Sequence, residues 1–186
     1  MITVSNSERL KFTFMTPEHK QQLFDLDQDP EVMKYINGGK PSTWDDIHER
    51  FIPRLQAYAN PEKGWGLWMV ETLDDNTYLG WVLVRPMEFF NDEQPTEEDN
   101  LELGWRFFQN SWGKGYGTEA AKAIAHALKA QNKDIRKFSA MAEKENTGSV
   151  NIMKKLGMTY QKTDVLKESG FEDMEVVYYH TIDSVD

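Results

Sequence analysis

The chain has 186 residues, 39% of them hydrophobic and 28% charged, with no cysteine and a formal net charge of −10. That composition suits a folded globular chain; it excludes general disorder, disulfides, thiolate metal sites and a cysteine nucleophile. The negative charge repels nucleic acid phosphates and favours a cationic partner such as an amine, although it serves solubility equally well.

No apolar run approaches the roughly 18 residues of a membrane helix, and the opening MITVSNSERLKF lacks the apolar centre of a secretory signal. A single cytoplasmic domain over residues 1–186, with no membrane or nucleic acid partner, is the expectation. Residues 10–14 (LKFTF) alternate and read as a first strand. Thr16-Pro17 then offers a cap and a proline at the first helical position. A helix is expected from there to about Asp27, with Leu23, Phe24 and Leu26 turned inward. Asp29-Pro30 opens a second short helix carrying Val32, Met33 and Ile36, and Asn37-Gly38-Gly39 stops it. Ser42 or Thr43 caps a third, with Asp45 and Asp46 favouring its dipole; Pro53 should kink or interrupt it.

Strands are predicted over 66–72 and 78–85, with Asp74-Asp75-Asn76 as the hairpin turn between them. Residues 88–100 are acidic, contain Pro95 and read as a mobile loop. Residues 101–108 (LELGWRFF) form the next strand. An alanine-rich helix follows over about 117–130, then a strand over 137–142, a short helix over 149–156 ended by Gly157, and a closing strand over 174–181. The order is mixed α and β, with a strand–loop–helix–strand core in the second half.

The most informative segment is 112–121, WGKGYGTEAA, which follows a strand and opens a helix. Gly113, Gly115 and Gly117 let the main chain approach a ligand closely. Their amides, with those of Lys114, Tyr116 and Thr118, can converge on an anion at a helix N-terminus, where the dipole also attracts negative charge. The spacing is GxGxG: neither a Walker loop nor a dinucleotide fingerprint fits. A plain strand-to-helix turn explains the glycines equally well.

Other segments join it. Here the sequence resembles the GNAT acetyltransferase superfamily, and within it the RimJ/RimL-like ribosomal-protein N-terminal acetyltransferases. Gly115 and Gly117 match the last fixed positions of the [QR]xxGx[GA] pyrophosphate loop, with Trp112 where Arg or Gln is usual. Glu8-Arg9-Leu10 and Asp29-Pro30-Glu31-Val32-Met33 resemble the subgroup's opening. Asn146, Ser149, Leu156, Gly157 and Met158 resemble its NxxS…LGF segment.

The resemblance implies a GNAT fold: an α/β (α+β) domain whose mixed, mostly antiparallel central sheet has a splayed pair of strands and flanking helices. It implies acetyl-CoA as co-substrate, an amine acceptor, no metal, and a monomer or homodimer. The strand over 101–108 would splay, and its main chain around Trp105, Arg106 and Phe107 would pair with pantetheine as an added strand does. Gly113, Lys114, Gly115, Tyr116, Gly117 and Thr118 would hold the pyrophosphate. Asn146 and Ser149 would lie near pantetheine or the thiol, although either could simply cap the helix that follows.

Direct attack of an amine on the thioester needs a neutral amine, stabilisation of the carbonyl oxygen and stabilisation of the departing thiolate. The acid that many relatives use is a tyrosine four residues before the glycine of the LGF segment; here that position is Met153. Ser149 is therefore expected beside the sulfur, with Tyr160 or Tyr116 as further candidates. Glu102 is the candidate base: strand alternation puts Glu102, Gly104 and Arg106 on one face and Leu101, Leu103, Trp105 and Phe107 on the other. A pairing of Glu102 with Arg106, or plain solvation, explains it equally well. Glu88, Glu97 and Glu98 could recruit a cation. Trp44, Trp65, Trp68, Trp81, Phe89 and Phe90 are core or pocket lining.

The four histidines show no ligand spacing. An α-amine, with a pKa near 7.7–8.0, keeps an appreciable neutral fraction at pH 7, whereas a lysine near 10.4 does not. A weak base therefore suits an N-terminal amine better than a lysine. A polyamine or aminoglycoside acceptor, a non-catalytic acyl-CoA-binding module and a self-associating structural domain fit the same residues.

Overall fold

A computed structural model of the chain describes residues 1–166 and 173–181. Seven strands form one sheet: β1 (Leu10–Phe14), β2 (Gly66–Thr72), β3 (Tyr78–Met87), β4 (Glu97–Phe107), β5 (Lys137–Ala142), β6 (Thr159–Leu166) and β7 (Met174–His180). Their spatial order is β1-β2-β3-β4-β5-β7-β6. Every neighbouring pair is antiparallel except β4 and β5. Five α-helices accompany the strands among the described residues: α1 (Lys20–Leu26), α2 (Pro30–Asn37), α3 (Ile52–Tyr58), α4 (Tyr116–Gln131) and α5 (Thr147–Lys155). This is the mixed GNAT arrangement that the resemblance implies.

The two faces of the sheet have separate cores. On one, Ala120, Ala121, Ile124, Ala125 and Leu128 of α4 pack with Leu101, Leu103 and Phe107 of β4. On the other, Leu23 and Leu26 of α1, Val32 of α2 and Leu55 of α3 pack with Leu67, Met69 and Trp81. Period-two alternation along β2, β3 and β4 feeds both faces at once, which explains why these strands are apolar along most of their length.

Several boundaries differ from the sequence reading. The first helix begins as a 3₁₀ turn over Pro17–His19 and becomes α-helical at Lys20. The third is a π-helical turn over Asp46–Phe51 followed by α3, with Pro53 at the junction. Proline has no N–H to donate, and the ladder widens just ahead of it. β4 begins at Glu97, not Leu101, because Met87 pairs with Glu97 across a register shift after Pro86. The acidic connection is therefore 88–96. β6 was not foreseen. Its sequence, TYQKTDVL, is exposed almost throughout, so an edge strand with little burial carries no hydrophobic alternation to read.

Candidate active site

The parallel pairing of β4 with β5 is short: Asn100, Leu101 and Glu102 meet Lys137, Phe138 and Ser139. β4 then continues to Phe107 while β5 turns to pair with β7. Beyond Glu102 one edge of β4 has no strand beside it among the described residues. The direction of its main chain is fixed by β3. A Cβ on Gly80 would come within 2.1 Å of the Arg106 carbonyl, and the Phe108 N–H donates to the Leu79 carbonyl at 3.0 Å. Main-chain groups alternate sides along a strand, so those of Trp105 and Phe107 face the open edge. Arg106 departs from the expectation on this point: its carbonyl faces β3, and its side chain lies on the far face of the sheet.

The open edge runs into residues 113–118. Gly115 caps the 16-residue α4 in the left-handed region, φ 82°, and Gly113 is also left-handed, φ 74°. The space beside Gly113 is open, and beside Gly115 a Cβ would meet only Arg9 Nη2, at 3.4 Å. The first amides of α4 have no intrahelical acceptor, so the loop presents donors and a positive dipole end to an open cradle that fits an anion. Gly117 has a different role. A Cβ there would come within 2.9 Å of Ile152 Cδ1; its small size sets how closely α5 packs.

Residues far away in sequence hold this loop. Arg9 Nη1 donates to the Lys114 carbonyl at 3.0 Å, and its guanidinium pairs with Glu119 at 2.6 Å. Its plane lies 4.5 Å from the centre of the Tyr116 ring. Ser7 Oγ and the Arg9 main-chain N–H donate to the other Glu119 oxygen. Burial alone would raise the Glu119 pKa; the Ser7 and Arg9 hydrogen bonds and the Arg9 charge outweigh it and hold the carboxyl below its ordinary value. Trp112, at the position usual for Arg or Gln, donates its indole N–H to the Phe107 carbonyl at 2.8 Å.

The third component is the start of α5. Asn146 is its N-cap, accepting from the Ser149 main-chain N–H at 3.1 Å. Trp105 Nε1 reaches Ser149 Oγ at 3.2 Å. One bond thus joins the open strand to the helix at the far side of the splay. Met153 is fully buried in the core, where it carries no exchangeable proton. Tyr160 is 54% exposed on β6, with its hydroxyl 3.0 Å from Thr163 Oγ1. Tyr116 lies under Arg9.

The opposite face of β4 holds buried ion pairs. Glu102 and Arg85 are cross-strand partners, with Nε to Oε2 at 2.6 Å and about a tenth of each side chain exposed. The pairing of Glu102 with Arg106 considered from sequence is not formed. Arg106 Nη1 instead meets Asp27 at 2.5 Å, and Asp27 also accepts from Ser42 Oγ at 2.8 Å. Arg106 Nε and the Trp81 indole N–H have no hydrogen-bond partner among the described protein atoms, and the Arg106–Asp27 pair is nearly buried. A shallow, open depression lies beside Glu102, lined also by Arg85, Glu88, Phe89, Phe90 and Met141. Glu88 has φ 60°, and Asn91 Nδ2 donates to its carboxylate at 2.7 Å. Glu97 and Glu98 lie on β4 rather than in a loop, near Lys137 and Lys63 respectively. Trp65, Trp68 and Trp81 are core, whereas Trp44 stacks on Phe24 at the surface, 4.1 Å between rings.

Arg85 and Asp27 carry no motif that marks them, and Arg9 stands out only within the Glu8-Arg9-Leu10 likeness. Only the β3–β4 register identifies Arg85 as the partner of Glu102, and Asp27 comes from a different layer. Among the described residues no cluster of three or more histidine or acidic side chains could hold a metal ion, and no helix is long and apolar enough to cross a membrane.

A sheet whose β4 and β5 part beside a glycine-lined helix N-terminus is the arrangement that the sequence likeness implies. The chain belongs to the family described as the acetyltransferase (GNAT) domain, whose sequence profile matches residues 9–159. It is an N-acetyltransferase with acetyl-CoA as co-substrate. It is 26% identical over 177 residues to the FsC-acetyl coenzyme A-N(2)-transacetylase of Aspergillus fumigatus, covering 93% of this chain and 74% of that protein. Its fold is similar to that of the aminoglycoside acetyltransferase AAC(6')-Ib in complex with coenzyme A (TM-score 0.73, 16% identity, 92% and 94% of the two chains). It is also similar to a protein assigned as a ribosomal-protein-serine acetyltransferase of Vibrio cholerae (TM-score 0.68, 16% identity, 97% of each chain).

Proposed function

We propose that this chain acetylates the α-amine of a protein or peptide N-terminus, as a RimJ/RimL-like acetyltransferase acting in the cytoplasm as a monomer or homodimer. The observation that carries the reading is the meeting of the open β4 edge, the α4 cradle and Ser149 around one gap, tied by the 3.2 Å bond from Trp105 to Ser149. In this reading the amides of residues 113–118 hold the pyrophosphate. The Trp105 main chain and the Phe107 N–H pair with pantetheine. The Ser149 hydroxyl faces the sulfur.

The amine nitrogen forms the new N–C bond, the C–S bond breaks, and the proton lost by the nitrogen ends on the CoA thiol. Glu102 draws the amine and relays its proton through water. Its Oε2 is engaged by Arg85, but a carboxylate has further lone pairs. A carboxylate held in an ion pair is a weak base, which suits an amine already partly neutral at pH 7. The fold likeness to the Vibrio cholerae protein supports the same acceptor class.

A second reading, a small-molecule amine, is favoured by the N(2)-transacetylase relative, which covers most of this chain. The test is thiol release from acetyl-CoA against peptides with free N-termini, polyamines, aminoglycosides and free amino acids, with CoA-induced thermal stabilisation alongside. Turnover confined to peptides is the expected result. Turnover confined to small amines moves the chain to the second reading. Binding of CoA with no turnover on any of these amines leaves an untested amine or the non-catalytic module.

A further inference from the structure

Trp105 stands three positions beyond Glu102, where β4 and β5 cease to pair. Its indole packs partly against the α4-side core and its Nε1 reaches Ser149 Oγ at 3.2 Å. An indole N–H donates and never accepts, whereas a hydroxyl has one proton to give and two lone pairs. In this contact Ser149 must therefore be the acceptor, and its own proton is left for another group. The Ser149 main-chain N–H is already used by Asn146. Accepting one hydrogen bond polarises a hydroxyl toward giving another. Ser149 is also in the first turn of the nine-residue α5, where the dipole favours a neighbouring negative charge.

We infer that Trp105 is a positioning residue for thiolate departure: its indole N–H fixes Ser149 as an acceptor and so commits the Ser149 proton to the CoA sulfur. The inference rests on the reading above in one respect, that Ser149 lies at the sulfur. It goes further in giving the serine a fixed donor role and in naming the side chain that imposes it. A purely structural Trp105 would pin α5 to β4 without affecting the sulfur.

The chain has no cysteine, so a thiol titrated in its complex with CoA belongs to CoA alone. The measurement is thiolate absorbance against pH for CoA bound to the wild type, Trp105→Phe, Ser149→Ala and the double variant. Melting temperature and CoA affinity are recorded for each. Trp105→Phe keeps the ring and removes the donor.

The expected result is a bound thiol that titrates below free CoA in the wild type. Each single variant should raise that titration by about one pH unit, the scale of a lost hydrogen bond to a charged group. The double variant should match Ser149→Ala, because Trp105 acts only through the serine. A shift in Ser149→Ala with none in Trp105→Phe, or additive shifts in the double variant, overturns the inference and leaves Ser149 at the sulfur. No shift in Ser149→Ala removes the serine from the sulfur and takes the inference with it. The acceptor assignment is untouched by any of these outcomes, since no amine is present.

Discussion

The two faces of β4 solve opposite problems. On the α4 side, Leu101, Leu103 and Phe107 are buried among apolar groups, and the polar work falls to the main chain: an open strand edge and the first amides of α4. On the other side, Glu102 and Arg106 are also nearly buried, and each is neutralised by a partner from elsewhere, Arg85 on β3 and Asp27 at the end of α1. Main-chain recognition tolerates many side chains, which suits a co-substrate shared by a whole family. Paired charges cannot be exchanged singly, and on the proposed role of Glu102 this is the face that meets the acceptor.

The sharpest way to break this contrast is Asp27→Ala. It strands the Arg106 guanidinium in a nearly buried site and also removes the Ser42 contact. Losing one partner of a buried pair costs about 3–5 kcal/mol, or a fall in melting temperature of roughly 10 °C for a chain of this size. CoA affinity of the folded fraction should hold within about twofold, since additivity is expected between sites without shared partners. Urea melts with and without CoA measure both. A normal melt with lost CoA binding would show that the faces are not independent.

Gly115→Glu attacks the other side. A side chain in the left-handed region costs about 1–2 kcal/mol, and the carboxylate would enter the cradle proposed to hold the pyrophosphate. CoA affinity should fall about a hundredfold or more, roughly 2.7 kcal/mol, with the fold retained. Unchanged CoA affinity in the folded variant would remove the phosphate site from this loop.

The same contrast decides what could be read from the sequence. The co-substrate side is local: a strand, a glycine loop and a helix start lie within residues 101–131, so spacing and dipole arguments reach it. Alternation also put Glu102 and Arg106 together on one face correctly. Their partners stayed hidden because an ion pair has no periodicity. Arg85 meets Glu102 only through a register interrupted by a bulge after Pro86, and Asp27 reaches Arg106 across 79 positions. Arg9 was legible only as part of a likeness, and nothing in its neighbours announces a clamp on a loop 105 positions away. β6 lacked the burial that makes a strand visible.

Glu102→Gln tests the acceptor face without emptying it, because the amide still accepts from Arg85. A general base typically contributes about 10²–10⁴ in rate, but an α-amine partly neutral at pH 7 needs less help. Turnover should fall about tenfold, with CoA affinity unchanged and the loss shrinking as the pH rises toward 8. A pH-independent loss would make Glu102 structural.

Glu119→Gln sharpens the co-substrate side by loosening Arg9. About fivefold weaker CoA binding is expected, near 1 kcal/mol for a hydrogen-bonded charge pair that is partly exposed. The pH dependence follows from the depressed carboxyl of Glu119. A carboxyl lowered in the fold contributes stability above its unfolded value, about 4.3, and loses it as the pH falls through the folded value. In the wild type, the Glu119 contribution to folding stability should therefore stay full from pH 7 to 5 and weaken only below about 4.3. The Gln variant should lack that acid limb.

The smallest effect expected is that of Tyr160→Phe, and its smallness is informative. Tyr160 is a proton-bearing side chain that the sequence places soon after the LGF-like segment, which made it a candidate acid. Its position on β6 turns it away from that role: β6 is at the sheet edge, separated from β5 by β7. The hydroxyl lies against Thr163, and the ring packs edge-on against Tyr179 at 5.8 Å. Removing the hydroxyl deletes one exposed hydrogen bond, worth well under 1 kcal/mol where water replaces the partner. Turnover and its pH profile should match the wild type within about twofold. With Met153 buried and Tyr160 silent, stabilisation of the departing thiolate would fall to the Trp105–Ser149 pair. A tenfold loss in Tyr160→Phe would instead bring β6 into the chemistry and make the edge of the sheet, rather than its gap, the place where the thiolate is protonated.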